Sequence, residues 1–331
     1  MSSITRRQAV GLLLLLMLAV IAAVLRLLVY RDLSGVLTWS RPEADVAGLR
    51  WTAVAVAAIA GTALAVSGVL LQALLRNPLA SPFILGISSG AALGVMTAMY
   101  LGYKLGWEAL QGGTNTGPAL VGAVITLAVV YLLGQRRGWL DPLSLVLIGV
   151  VVSAICGALI MFLHYLVPQG LKVDLVAWMM GHIPERIGRG GLLLAGSMAI
   201  AGMAVAVSMG RAMDAATLAD DEARSVGLAL GPLRVAMFLL AGALTSLAVS
   251  LAGPIGFVGL IAPHAARLLI GPRHGPLVLG AALLGAALLV GADVASQAIN
   301  VATGRMPVGV FTALIGGPAF IWLLRSGRGQ V

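Results

Sequence analysis

Residues 52–101 read TAVAVAAIAGTALAVSGVLLQALLRNPLASPFILGISSGAALGVMTAMYL, and Arg76 is the one charged residue among them. Two apolar runs, Thr52–Leu71 and Pro82–Leu101, flank a short polar break. Each run is about 20 residues long, the length a helix needs to cross a bilayer. In lipid, backbone donors and acceptors must be satisfied within the segment, which leaves helices or a closed barrel. The alternation of a barrel strand is absent, so the runs are read as helices.

The same ruler applied outward finds Ala9–Val29, Pro118–Gly134, Leu143–Leu166, Gly191–Met209, Val235–Leu251, Ile255–Ile270, Leu277–Ser296 and Val308–Leu324. Gly253 and Gly256 interrupt the pattern, so that region reads as a broken helix. The expected fold is all-α: a polytopic membrane protein with about ten transmembrane helices. Residues 1–331 form a single transmembrane domain, and no stretch reads as β structure.

Composition agrees. The chain is 60% hydrophobic and 10% charged, with mean hydropathy +1.03, too apolar for a soluble core to hide. Its one cysteine, Cys156, lies in an apolar run and excludes a disulfide framework or cysteine metal cluster. The pI of about 10.8 is set by arginines scattered between apolar blocks. That distribution fits loop charges that orient helices and gives no nucleic-acid patch. Arg76, Arg136, Arg137, Arg211, Arg224, Arg234, Arg273, Arg325 and Arg328 fall on the side of Arg6 and Arg7, which places both termini in the cytoplasm. The first apolar run is long for a signal peptide and is read as a retained span. A faint echo pairs Ala60-Gly61 and Pro82 with Ala241-Gly242 and Pro263, as an inverted repeat would.

Few residues offer chemistry. No Gly-x-x-x-x-Gly-Lys-Ser/Thr occurs, so the chain has no phosphate-cradling loop and is not itself an ATPase. Gly86-Ile87-Ser88-Ser89-Gly90 fits Gly-x-Ser-x-Gly but opens an apolar helix, where Gly86, Gly90 and Gly94 share one face; helix packing is the reading. His164, His182, His264 and His274 lack metal spacing, and no metal or cofactor is expected. Asp293 is the one acid well inside a span, a functional candidate by default. The plainer alternative is a bond to a hydroxyl or amide on a neighbouring helix.

The most informative loop runs from about 211 to 233. Thr217 is read as capping a short helix, with Asp220, Asp221 and Glu222 in its first turns, where the helix dipole favours acids. Gly227 suits the left-handed position after its end, and Pro232 starts the next helix. Ala219, Ala223 and Val226 share a face, an apolar stripe suited to a partner.

Ordered blocks across nearly the whole chain carry a resemblance. They are Ser67-Gly68, Gln72 and Asn77-Pro78-Leu79-Ala80-Ser81-Pro82, then Trp178-Met179-Met180-Gly181, then Ala223-Arg224-Ser225-Val226-Gly227-Leu228. Next come Gly253-Pro254-Ile255-Gly256-Phe257-Val258-Gly259-Leu260-Ile261-Ala262-Pro263-His264, then Ala292-Asp293, Pro307-Val308-Gly309 and Gly316-Gly317-Pro318. The sequence resembles the permease subunits of binding-protein-dependent ABC importers for iron-siderophore, heme and cobalamin. The resemblance implies a homodimer in the bacterial inner membrane, two cytoplasmic ATP-binding subunits and an extracytoplasmic substrate-binding protein. It implies ATPase coupling through Thr217, Leu218, Ala219, Ala223, Arg224, Val226, Gly227 and Leu228. It places a cytoplasmic gate at Asn77, Leu79, Asp141 and Pro142. Binding-protein docking maps to Arg50, Gln297 and Arg305, where the charges depart from the family pattern. An iron-siderophore complex is the first substrate expected, with heme and cobalamin as alternatives.

Two other classes compete. An ion-coupled secondary transporter needs titrating acids in the membrane, and Asp293 alone qualifies. An intramembrane hydrolase would pair Ser88 or Ser89 with His264.

Overall fold

The computed structural model describes residues 5–31, 37–41, 43–107, 115–136, 139–301 and 304–325. Its helices are α1 (Arg6–Leu28), α2 (Ala44–Leu75), α3 (Ile87–Leu105), α4 (Thr116–Leu133), α5 (Pro142–Leu166), α6 (Gln169–Met179), α7 (Arg189–Ser208), α8 (Gly210–Ala215), α9 (Asp220–Ser225), α10 (Leu230–Ala252), α11 (Val258–Ile270), α12 (His274–Ala298) and α13 (Val308–Arg325). Among the described residues, α1, α2, α4, α5, α7, α10 and α12 are long and apolar enough to cross a membrane. The other stretches read as spans are also helical, as α3, α11 and α13.

Burial sorts the long helices into two groups. The most apolar windows of α2, α10 and α12 are 67–78% buried, whereas those of α1, α4, α5 and α7 are 22–33% buried. A helix apolar all round belongs inside a large assembly or in a membrane. Here α2 sits centrally, against α12, α10, α11 and α7. The outer helices expose rows of large apolar side chains, such as Leu13, Leu16 and Met17 on α1 and Leu147, Val151 and Ile155 on α5. Only lipid or another apolar surface suits such rows.

With no water to displace from between helices, close packing and interhelical hydrogen bonds hold the core. A Cβ on Gly61 of α2 would lie 2.2 Å from Gly285 O of α12, and one on Gly285 would lie 2.3 Å from Gly61 O. A Cβ on Gly90 of α3 would strike Thr126 Oγ1 of α4 at 1.8 Å, so the small residues of the Gly-x-Ser-x-Gly stretch serve packing. Ser67 Oγ, fully buried, bonds Ala241 O at 2.8 Å and Thr245 Oγ1 at 2.7 Å and ties α2 to α10.

The chain breaks where its glycines predict. Helix α10 ends at Ala252, and Gly253 (φ 72) and Phe257 (φ 67) turn the backbone before α11. The 13 residues of α11 rise roughly 20 Å, short of a hydrocarbon core of about 30 Å. The extended link is buried in protein: Ile255 is fully buried, and His182 N donates to Ala252 O at 3.0 Å.

Several expectations need correction. Helix α2 begins at Ala44, well before Thr52. Pro82 opens a 3-10 turn, Pro82–Leu85, while Pro263 lies inside α11, so the two prolines of the repeat echo hold different structural positions. Three small antiparallel hairpins occur among the described residues, joining 29–31 to 37–39, 135–136 to 139–140 and 300–301 to 304–305. Strands of two or three residues are too short to leave an alternating pattern.

Overpacking a full contact costs about 1–3 kcal/mol or more. Gly61→Leu is therefore expected to lower the thermal midpoint of the detergent-solubilised protein. Gly291→Ala, which meets nothing within 4 Å, should leave the midpoint unchanged or slightly raised.

Candidate functional site

Helix α2 stops at Leu75, and Arg76 adopts a left-handed conformation (φ 47). That conformation costs a residue with a Cβ about 1–3 kcal/mol and needs outside support. Support comes from the 211–233 segment: Arg76 Nε donates to Ala216 O at 2.8 Å, and Nη2 lies 2.7 Å from Asp220 Oδ1. Arg234, in the first turns of α10, donates from Nη2 to both Asp220 oxygens at 2.9 Å. One carboxylate at the start of α9 thus joins the ends of α2 and α10. Partial burial pushes that carboxyl up, but hydrogen bonding and charge from Arg234 and Arg76 outweigh it, holding the group below its ordinary value.

Around this bridge lie the expected gate residues. Asn77 Oδ1 accepts from Leu79 N at 2.9 Å, a side-chain turn that leaves both residues exposed. Asp141 accepts from Ser144 Oγ at 2.6 Å and Ser144 N at 2.8 Å. It caps α5, and Pro142 fills the first helical position, where a missing N–H does no harm. The Ser144 hydrogen bonds hold the Asp141 carboxyl below its usual range, with smaller help from Arg136 and Arg234.

The 211–233 segment departs from the sequence reading in two ways. Ala219, not Thr217, precedes the helix; Thr217 Oγ1 donates back to Asp214 O at 2.7 Å, and Glu222 Oε2 accepts from Ala219 N at 3.3 Å. Alanine has no side-chain acceptor for the reciprocal bond. The apolar stripe also splits: Ala223 is fully buried against the rest of the chain, while Ala219 is exposed and Val226 is 65% exposed, with Leu218 just before the helix 41% exposed. Gly227 takes the left-handed position as expected (φ 82). Gly227 N bonds Arg224 O at 2.9 Å and Leu228 N bonds Ala223 O at 3.1 Å, the Schellman pattern that closes a helix end. Arg224 is exposed beside it. A second tie fixes the segment, because Asp214 Oδ1 accepts from His274 N at 2.9 Å and bonds His274 Nδ1 at 2.7 Å.

At the opposite end, Asp293 meets an arginine that the sequence reading does not foresee. Arg26 Nε donates to Asp293 Oδ2, and Arg26 Nη2 lies 3.0 Å from Glu185 Oε1. Arg26 and Asp293 are both buried, near the last turns of α1 and α12. Arg50 is also buried: its Nη1 donates to Leu27 O at 2.7 Å, and the guanidinium stacks 3.9 Å over the Tyr30 ring. Gln297 is buried beside Ser296, and the Arg305 side chain lies outside the described residues, as do Arg137 and Arg328. Ser88 Oγ and His264 Nε2 are each buried without a hydrogen-bond partner, so no nucleophile–base pair forms between them. Among the described residues no group of His, Cys, Asp and Glu is arranged to hold a metal.

Sequence reading misses Arg76, Arg234, Asp214, Arg26 and Glu185 as partners. One signal is present: four of the chain's twelve acids, Asp214, Asp220, Asp221 and Glu222, fall in this loop, between Arg211 and Arg234.

Comparison with known proteins gives consistent results. The profile of the FecCD transport family matches residues 11–326. The chain is 36% identical to the hemin transport system permease protein HmuU of Yersinia pestis, over 85% of this chain and 83% of that protein. It is 36% identical to the cobalamin import system permease protein BtuC of Halobacterium salinarum, over 85% and 73%. Against the iron(3+)-hydroxamate import system permease protein FhuB of Escherichia coli it is 35% identical, over 93% and 46%. A solved inward-facing conformation of a metal-chelate type ABC transporter superposes with TM-score 0.83 at 29% identity, covering 96% of this chain and 99% of the other.

Two outcomes are expected. Removing one member of a buried ion pair costs about 3–5 kcal/mol, so Asp293→Asn should lower thermal stability sharply, with Arg26→Met plus Asp293→Leu recovering part of it. The second concerns pH. The lowered Asp220 pKa means its bridge is in full force above the ordinary carboxylate value of 3.8 and is lost as pH falls through the lower folded value. Hydrogen exchange of residues 217–228, corrected for intrinsic rate, should be flat from neutral pH to that value and rise below it. In Asp220→Asn it should already be fast at neutral pH.

Proposed function

Because the chain belongs to the FecCD transport family, it is a multi-pass permease of an ABC importer in the bacterial inner membrane, and we propose that its cargo is an iron-siderophore complex. Two copies of the chain would form the translocation path, each with ten spans and cytoplasmic termini. Two cytoplasmic ATP-binding subunits would dock on the 211–233 segments, and an extracytoplasmic binding protein would deliver cargo. The relative aligned over 93% of this chain is named for iron(3+)-hydroxamate, which supports the cargo reading.

The observation that carries the mechanism is the Asp220 bridge. Leu218 and Val226, on either side of α9, face outward for an ATPase groove, while Asp220 at its start grips Arg76 at the gate loop and Arg234 at the base of α10. When nucleotide draws the ATPases together, the docked helix moves and takes both helix ends with it. Asn77 and Leu79, with Asp141 and Pro142, then open or shut the cytoplasmic exit. Nucleotide shifts this balance only through unequal affinity for the two states. Arg50 and Gln297, both buried, would shape the binding-protein surface from beneath. The bonding of Asp293 to Arg26 weighs against an ion-coupled carrier, whose acid must change protonation during transport.

Proteoliposomes holding the permease, its ATPase and its binding protein are the test. ATP-dependent uptake of ferric hydroxamate, exceeding that of hemin and cyanocobalamin, is expected. Val226→Asp should weaken co-purification with the ATPase by about ten-fold, as for an apolar anchor lost from an interface. Uptake that persists without ATP would overturn the mechanism. Preferential uptake of hemin or cobalamin would overturn the cargo alone.

A further inference from the structure

Between the gate loop and the base of α12 lies a cavity of about 310 Å³, where Ala73, Pro78 and Pro272 share the wall with polar side chains. Gln72, Arg76, Asn77, Thr217, Arg267 and His274 line it. Charges around it are unevenly balanced. Arg76 is paired with Asp220 and His274 is hydrogen-bonded to Asp214, but among the described residues no carboxylate pairs with Arg267. Its guanidinium reaches from Nη2 to Gln72 Oε1 at 3.4 Å, a long bond to a neutral oxygen. Arginine only donates, so it fixes the orientation of the Gln72 amide, oxygen toward Arg267. The Gln72 Nε2 donors are then left buried with no partner on a side chain 3% exposed. A buried donor without an acceptor costs about 1–3 kcal/mol, and an uncompensated half-buried arginine adds to that.

Both defects call for the same remedy, a negatively charged acceptor in the cavity. We propose that this cavity binds one phosphate-type oxyanion, held by the Arg267 guanidinium and the Gln72 amide, with Asn77 at its mouth. A tetrahedral oxyanion offers several acceptors to such donors, and arginine matches it with two parallel N–H groups. A water fills about 30 Å³, so the volume holds a phosphate group with solvent around it. Arg267 lies in the last turn of α11 and Gln72 in the last turn of α2, which puts the site at the membrane boundary. The phosphate can therefore come from solution or from the headgroup of an anionic phospholipid. Because Arg76 and Thr217 share the cavity, its occupant would sit between the gate loop and the coupling segment.

The full-length protein, purified in detergent, should show a higher thermal midpoint in inorganic phosphate than in chloride of equal ionic strength. In nanodiscs of equal parts phosphatidylglycerol and phosphatidylcholine, native mass spectrometry should show phosphatidylglycerol retained after detergent release. Either response alone supports the site, the first pointing to free phosphate and the second to lipid. Arg267→Gln should weaken the response ten-fold or more, as for loss of a charged hydrogen bond. Gln72→Glu keeps the shape of the side chain and supplies Arg267 with its own carboxylate. It should raise the anion-free midpoint and abolish the response, an outcome that a merely structural Gln72 would not give. No phosphate-specific shift together with no retained phosphatidylglycerol overturns the proposal. So does a response that survives Gln72→Glu, or protection of Arg267 that appears only when the ATPase is bound, which would make a protein carboxylate the occupant.

Discussion

A backbone amide in hydrocarbon has no water to turn to, and that constraint decides most of this structure. It forces the spans to be helical and demands that any break lie inside protein, as the 253–257 link does against Ala252 and His182. It also changes what holds helices together. Apolar side chains gain nothing by leaving lipid for one another, so the core relies on backbones brought close at Gly61 and Gly285 and on hydroxyls such as Ser67 shared between helices. The result is a rigid centre of α2, α10 and α12, wrapped by helices whose outer faces are plain Leu, Val and Met.

Ionic contacts among the described residues gather at the two ends of that centre, and they differ in kind. Arg26, Asp293 and Glu185 form a cluster whose inner members are buried, where removing one charge strands the others. At the other end, Asp220 and Asp214 are partly exposed and join separate pieces of chain: a helix end, a short surface helix and the next helix start. Solvent screens such pairs and makes each weak, but two arginines on one carboxylate fix direction better than strength.

Much of this is legible in the sequence, for reasons that differ by residue. The spans are visible because a run of twenty apolar residues suits little besides a bilayer, and Gly227 because a helix end needs a left-handed residue. The glycine face at 86–94 reads as packing, and Gly90 does lie against Thr126. Asp293 stands out as costly, yet its partner Arg26 is hidden, since an arginine closing an apolar run looks like a loop charge. The split stripe of Ala223 and Val226 is also hidden: a shared helix face does not tell which side is covered. The resemblance assigns Arg50 to binding-protein docking, and its bond to Leu27 O with the guanidinium against the Tyr30 ring leaves no trace in the sequence.

The central claim is that the coupling helix and the gate loop move as one because Asp220 joins them. A double-mutant cycle on ATP-driven uptake tests it directly, using Arg76→Gln, Asp220→Asn and the pair together in the reconstituted transporter. If the link is the route, each single change lowers uptake per ATP hydrolysed, and the double variant is little worse than the poorer single. Losses that multiply independently, or single variants that transport like the parent, would contradict it.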